Sequence, residues 1–225
     1  TVQRSQVKRH LNDYFYYGGL PEILSFQNKR SMLSSLYQKI YLGDICARNN
    51  IKSDRVLNIL IKKMAESVKQ PLSFNRLKNV IVATGAPISV PTTIDYVDYA
   101  SDSWLILPME NEVGKLTEKE MQKKYYFVDN GLLNLFLMNS ETSLLENMVA
   151  VELCRRFGKN NVFFLNAEKE IDFIVPDQKL ALQVSYTIKE EATYNREVPP
   201  LVKYAKAHPD WQCLLIAYDE ESTAE

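Results

Sequence analysis

The chain is short of cysteine and histidine, has no surplus charge of either sign and has no long apolar run. Each shortage closes off a class of function. Among 225 residues there are three cysteines, Cys46, Cys154 and Cys213. They lie far apart, and no Cys-x-x-Cys pair exists, so neither a zinc module nor a disulfide framework is written here. Apolar neighbours surround all three, which reads as buried free thiols in a reducing cytosol. His10 and His208 are the only histidines, and neither has a serine or cysteine partner at readable spacing. Lysine and arginine number 27 against 28 aspartates and glutamates. A strongly basic nucleic-acid binder is therefore not announced, and any such contact must come from a local patch. No apolar run approaches the ~18 residues that a membrane span needs. The opening TVQRSQVKRHL is charged and has no hydrophobic signal core. It lacks an initial Met and reads as the cut edge of a longer, cytoplasmic protein.

What is present is ample core and clear periodicity. Hydrophobic residues make up 46% of the chain, enough for one large domain or two of roughly 100 residues. Leu11, Tyr14 and Phe15 share one helical face, Gly18-Gly19 stops that helix, and Pro21 starts a new segment. A second helix carries Leu33, Leu36, Tyr37, Ile40 and Tyr41. A third carries Val56, Leu57, Leu60, Ile61 and Met64, with Ser53 as its expected cap. SFNRLKNVIVATG predicts a helix from a Ser73 cap to a Gly85 stop. PTTIDYVDYASDSW predicts another after a short turn, with Ile94, Val97 and Trp104 facing the core. Two helices joined by a short Gly-containing turn form a helix-turn-helix signature. A strand (WLILPM), a charged loop and a second strand (KKYYFVD) would then complete a winged helix. From Ser140 onward the order reads αβββαβ: a helix ended by Gly158, three strands in quick succession, a helix interrupted at Pro199-Pro200, and a buried strand WQCLLIAYD. That pattern is an α/β unit with a mixed sheet. DEESTAE at the end reads as a solvated acidic tail.

Five segments in order resemble the C-terminal half of a large family of prokaryotic AAA-type ATPases. They are YYGGLPEIL, KKYYFVDNGLLNLF, LLENMVAVEL, EIDFIV and LQVSYTIKEEATYNREVPPL. In that family an ATPase core is followed by a winged helix and a domain of unknown function resembling the PD-(D/E)XK restriction-endonuclease-like fold. The resemblance implies an α+β chain in three parts: a connector at 1–30, a winged helix at 31–139 and a nuclease-like domain at 140–225. It also implies a partner, the ATPase core of the same parent chain. The phosphate-cradling GxxxxGK[ST] loop occurs nowhere here, so ATP binding is expected only in that core.

Phosphodiester hydrolysis on such a fold needs carboxylates to hold Mg²⁺ and usually a lysine to orient the attacking water. The resemblance maps Glu146 to the helix acid, Asp172 to the strand acid, Gln183 to the next ligand and Ser185 to the lysine. Strand side chains alternate, so Gln183 and Ser185 share a face. Glutamine can offer a metal its carbonyl oxygen, but serine cannot replace the lysine's charge. Lys179 has the right parity but sits roughly 20 Å back along the strand, and Lys189 lies beyond its end. The expectation is a non-catalytic remnant pocket. The alternatives are a Mg²⁺-dependent nuclease using Glu146, Asp172 and Gln183, or carboxylates paired structurally with Arg155, Arg156 or Arg196. The would-be recognition helix carries Asp95, Asp98 and Asp102 and no lysine or arginine, a surface that phosphates repel. Candidate nucleic-acid contacts are instead Arg76 and Lys78 on the preceding helix, and Lys115, Lys119, Lys123 and Lys124 around the wing. The expected role is an accessory module that binds DNA or a protein partner. A protein-interaction scaffold without DNA binding is the further alternative.

Overall fold

A computed structural model describes residues 2–51, 54–167 and 170–218. It is a mixed helix-and-sheet chain with two separate sheets. Two compact units form. One takes the described residues up to Pro108 together with Lys124–Ser140. The other takes Met109–Lys123 and the described residues from Glu141 on. The expected Ser53 cap and the acidic tail lie outside the described residues.

The first unit begins with α1 (Val2–Tyr17) and a short 3-10 turn, Pro21–Ile23. Helix α2 (Lys29–Lys39), capped by the Asn28 side chain, runs on as a π-helix, Ile40–Ala47. Helix α3 (Asp54–Glu66) buries Val56, Leu57, Leu60, Ile61 and Met64, the predicted stripe. At about 2 kcal/mol per side chain, those five contribute roughly 10 kcal/mol before the entropy of ordering is subtracted. Strand β1 (Leu72–Ser73), α4 (Phe74–Ala83) and α5 (Val90–Asp102) follow. Ser73 caps α4 by accepting the Arg76 N–H at 3.2 Å, and Gly85 takes the left-handed conformation at φ 81°. Strands β2 (Ile106–Met109) and β3 (Gln122–Phe127) complete a sheet of order β1-β3-β2, and α7 (Asn130–Asn134) comes after it. Between β2 and β3 lies α6 (Leu116–Met121), inside the stretch expected to be a loop.

Helix α5 ends in a Schellman motif. The Leu105 N–H reaches the Ala100 carbonyl at 3.0 Å, and the Trp104 N–H reaches that of Ser101 at 3.0 Å. The left-handed position of this motif, normally glycine, is Trp104 at φ 54°. That conformation costs an L-residue roughly 1–2 kcal/mol. Trp104 is 67% exposed, so the sequence expectation of a core-facing ring is corrected: the reversed backbone turns the side chain outward while Leu105 goes in.

Residues 2–30, expected to be a connector, are tied into this unit. Asp129 caps α7 by accepting the N–H groups of Gly131 at 2.8 Å and Leu132 at 3.3 Å. It also accepts that of Gly19 at 2.7 Å, from 110 residues away. Gly18 sits at φ 78°, and a Cβ there would lie 1.9 Å from the Asp129 carboxylate. A Cβ on Gly131 would meet the Tyr17 carbonyl at 2.2 Å. Asn130 and Asn134 donate to the carbonyls of Phe15 and Tyr16, each at 2.9 Å. Two sequence motifs, Gly-Gly-x-Pro-Glu and Asp-x-Gly-Leu, are thus halves of one junction.

The second unit has the order αβββαβ: α8 (Glu141–Phe157), β4 (Phe163–Asn166), β5 (Glu170–Val175), β6 (Leu180–Ser185), α9 (Glu191–Ala207) and β7 (Gln212–Ala217). The sheet order is β4-β5-β6-β7, antiparallel until β6 and β7, which run parallel. Helix α9 packs on β6 and β7. It runs unbroken through Pro199 and Pro200, where an interruption was expected. Burial of Pro200 and Leu201 on the sheet side holds a helix that two missing N–H donors would otherwise weaken. The segment Met109–Lys123 joins this unit through Phe164: its carbonyl accepts the Glu112 N–H at 2.9 Å, and its N–H reaches the Glu110 carbonyl at 3.0 Å.

Candidate functional site

The candidate site lies on β5 and β6. Their antiparallel register pairs Phe173 with Leu182, which sets Asp172 opposite Gln183 with side chains on one face. Both are buried. The Asp172 carboxylate accepts the Val184 N–H at 2.9 Å. The Gln183 carbonyl oxygen faces the Asp172 N–H at 3.4 Å, and its amide donates to Glu197 at 2.5 Å. Glu197, on α9, is only 7% exposed and also accepts Arg196 Nε at 2.6 Å. The chain of contacts is therefore Asp172, Gln183, Glu197, Arg196. Each added partner lowers the cost of keeping carboxylates out of water.

Glu197 was missed by sequence reasoning. Only the proximity of an Arg-Glu pair to the Gln-Val strand hinted at it. Ser185 is buried and donates to the Thr187 carbonyl at 2.8 Å, closing the strand end. Glu146 is buried on α8. Among the described residues, no three acids, histidines or cysteines converge as a ligand set. Gln183 turns its amide nitrogen toward Glu197 and its carbonyl oxygen toward the Asp172 N–H. Lys179 is tied to Asp210 at 2.7 Å at the far end of β6. Arg155 and Arg156, offered as partners for the buried acids, both bind Glu152 on their own helix. Those two guanidiniums pull the Glu152 pKa down to about 2. Arg196 joins the cluster through Glu197.

The candidate nucleic-acid contacts divide between the two units. Arg76 is exposed and Lys78 half-buried on α4; Lys115 is exposed and Lys119 half-buried beside α6. Lys123 is held by Glu110 at 3.1 Å and Glu120 at 3.7 Å. Lys124 is 0% exposed, because β3 is covered on both faces from Lys124 to Phe127, and it offers no charge to a phosphate. That corrects its place in the expected set. On α5, Asp95, Asp98 and Asp102 are all exposed, as the helix periodicity predicted.

A second concavity, of about 550 Å³, lies within the second unit. Its wall is mostly apolar, with Leu165, Ile171 and Pro200 beside Tyr204, His208 and Trp211. The three cysteines are free thiols, partly rather than fully buried. Among the described residues, no helix is long and apolar enough to cross a membrane.

Comparison with known proteins places the first of these features. Residues 8–143 match the family model described as Domain of unknown function (DUF8612). The chain belongs to this family. The DUF8612 match takes in Gly18, Gly19 and Asp129, so the whole junction between the two motifs lies inside it. The Asp172–Gln183–Glu197 cluster lies past its end. An uncharacterized protein of Methanocaldococcus jannaschii, MJ1544, is 27% identical over 215 residues, 92% of this chain and 48% of that protein. An uncharacterized protein of Haemophilus influenzae is 29% identical over 196 residues, 84% of this chain and 49% of that protein. The DUF8612 chain thus spans about half the length of the curated relatives it matches. No solved structure matches it.

Proposed function

We propose that this chain is a binding part, not a hydrolytic part, of a larger prokaryotic ATPase of the AAA type. In this proposal a winged helix precedes a restriction-endonuclease-like unit whose metal pocket has become a hydrogen-bonded clamp. The order α3-β1-α4-α5-β2-α6-β3, with sheet order β1-β3-β2, supports the first half. The αβββαβ order with a mixed β4-β5-β6-β7 sheet supports the second. The observation that carries the inactive reading is Gln183. Both ends of its amide are engaged, by the Asp172 backbone and by Glu197, and Ser185 supplies no positive charge for the attacking water. The ATPase core, with any ATP it binds, belongs to the rest of the parent protein in this reading. The acidic face of α5 favours a protein partner over phosphate readout.

The test is plasmid cleavage by the full chain with Mg²⁺ or Mn²⁺, beside calorimetric titration of each ion. No cleavage and no binding heat are expected. Cleavage that disappears in Asp172→Ala would restore the nuclease reading with Glu146, Asp172 and Gln183 as ligands. A labelled duplex then separates the binding modes. A complex that weakens steeply with salt and with Arg76→Ala or Lys115→Ala marks a DNA-binding module, and no complex marks a protein-binding one.

A further inference from the structure

The cavity of about 550 Å³ in the second unit has one wall written into α9. Pro200, Lys203, Tyr204, Ala207 and His208 line it, and their spacing puts them on a single helical stripe. Pro209 follows the helix. The His208 carbonyl then accepts the Trp211 N–H at 3.0 Å, a turn that folds Trp211 back beside the helix end. The Trp211 and Tyr204 rings meet at 5.4 Å and 79°, and the His208 ring lies 4.3 Å from that of Tyr204. Two rings at nearly a right angle make a corner. Leu165 of β4 and Ile171 of β5 supply apolar lining. Strand β5 holds one extra residue against β4, since Phe163 pairs with Ile174 but Leu165 with Ile171. That bulge lets Ile171 and Ile174, three apart, enter the same apolar cluster. Glu112 completes the lining, held in place by its N–H bond to the Phe164 carbonyl at 2.9 Å.

The volume falls in the range of about 300–1,000 Å³ typical of sites for small organic ligands. Charge selects the class. Two charged side chains line the cavity, Lys203 and Glu112. Lys203 has a partner of its own. Glu112 is exposed and, among the described residues, its carboxylate joins no hydrogen bond or ion pair. Burial, then the neighbouring Glu112, Cys213 and Asp210, push the Tyr204 hydroxyl up to about 12. Tyr204 therefore stays a neutral phenol in a negative field. The faces of tyrosine and tryptophan rings attract cations in the same sense. We infer that this cavity is a binding site for a small organic cation, an arylalkyl ammonium, whose apolar body rests on Leu165 and Ile171 and whose charge is shared by the Tyr204–Trp211 corner and Glu112. The inference does not rest on the ATPase reading, and the site uses neither Asp172 nor Gln183.

The probe is phenethylamine, titrated into the nitrogen-15-labelled full chain and read on the indole N–H signals of Trp104 and Trp211. Trp104, in the first unit, is the internal control. The comparison ligands are phenethyl alcohol (the ring without charge), hydrocinnamate (the ring with the opposite charge) and ethylamine (the charge without a ring). Phenethylamine should move the Trp211 signal to saturation and leave that of Trp104 in place. Phenethyl alcohol should bind about fivefold more weakly or worse, and the other two should not saturate. Glu112→Gln should abolish the preference for the amine over the alcohol while both still bind. Ala207→Phe, which fills the cavity from α9, should abolish binding of both. Glu112 and Ala207 are exposed, so both variants should melt near the wild-type temperature. The inference is overturned by an absent Trp211 shift, by an alcohol that binds as well as the amine, or by a Glu112→Gln chain that keeps the preference. Unchanged binding in Ala207→Phe overturns it as well. Saturation by ethylamine would reduce the site to a surface ion pair, and saturation by hydrocinnamate would assign the cavity to an anion; either result overturns it too.

Discussion

Replacing Asp129 by alanine removes the acceptor at the junction of the two motifs, and the cost can be worked out bond by bond. The N-cap of α7 is worth about 1 kcal/mol. The Gly131 and Leu132 N–H groups are buried, and leaving such a donor unpaired costs roughly 1–3 kcal/mol. Gly19 is exposed, so water replaces most of its bond at 2.7 Å. Against these losses stands the relief of no longer burying a carboxylate. The sum is about 3 kcal/mol, a large share of the roughly 5–15 kcal/mol that holds a domain. Asp129→Asn keeps an oxygen for α7 but points an amide at the Gly19 N–H, and should cost about half as much. Urea melts followed by circular dichroism measure both.

Acid supplies a second readout for the same residue. Burial lifts the Asp129 pKa above its ordinary 3.8, and the bonds from Gly19, Gly131 and Leu132 pull it down without overcoming that. The folded chain therefore holds this proton more tightly than the unfolded chain. The contribution of the group is fully present below 3.8 and is lost as pH rises through the folded value. The stability of the wild type relative to Asp129→Asn should fall across that window. An alanine variant within about 0.5 kcal/mol of wild type, the range of inert surface changes, would refute the junction as a structural keystone.

Other outcomes follow from the same geometry. Gly131→Ala puts a methyl 2.2 Å from the Tyr17 carbonyl and should cost more than about 3 kcal/mol, seen as a lost or broadened transition of the first unit. Gln183→Ala strips Glu197 of its buried amide donor and should cost about 1–3 kcal/mol in urea, with Glu197→Gln partly restoring the loss in the double variant. Glu152 should titrate by NMR near pH 2, and Arg156→Ala should raise that midpoint. Its ion pairs support the fold above the ordinary glutamate value and are lost as pH falls through about 2, a small effect for so exposed a group.

Element order was legible because each helix kept an apolar stripe and each strand a short apolar run between turn residues. α4, α5 and the succession α8 to β7 came from that rule. The α9 prolines misled because the sequence shows the missing donors and not the burial that compensates them. Lys124 misled because parity sorts faces only when one face is wet, and β3 is buried on both. Trp104 carried no signal: a Schellman end is read from glycine, which is absent. At the candidate site, Asp172 and Gln183 came from the resemblance, and strand alternation added only that Gln183 and Ser185 share a face. Glu197 came from neither, because its meeting with Gln183 depends on where α9 lies across the sheet.

The segment Met109–Lys123 has a consequence for how the chain is born. The polypeptide passes from one unit to the other at 108/109, at 123/124 and at 140/141. On the ribosome, the first unit cannot close until Asp129 has emerged to meet Gly19. The bonds of Glu110 and Glu112 to Phe164 must then wait until Phe164 follows the segment out. No single cut separates the units. A truncation after Ser140 strands that segment without its sheet, and one before Glu141 leaves the second unit missing its edge.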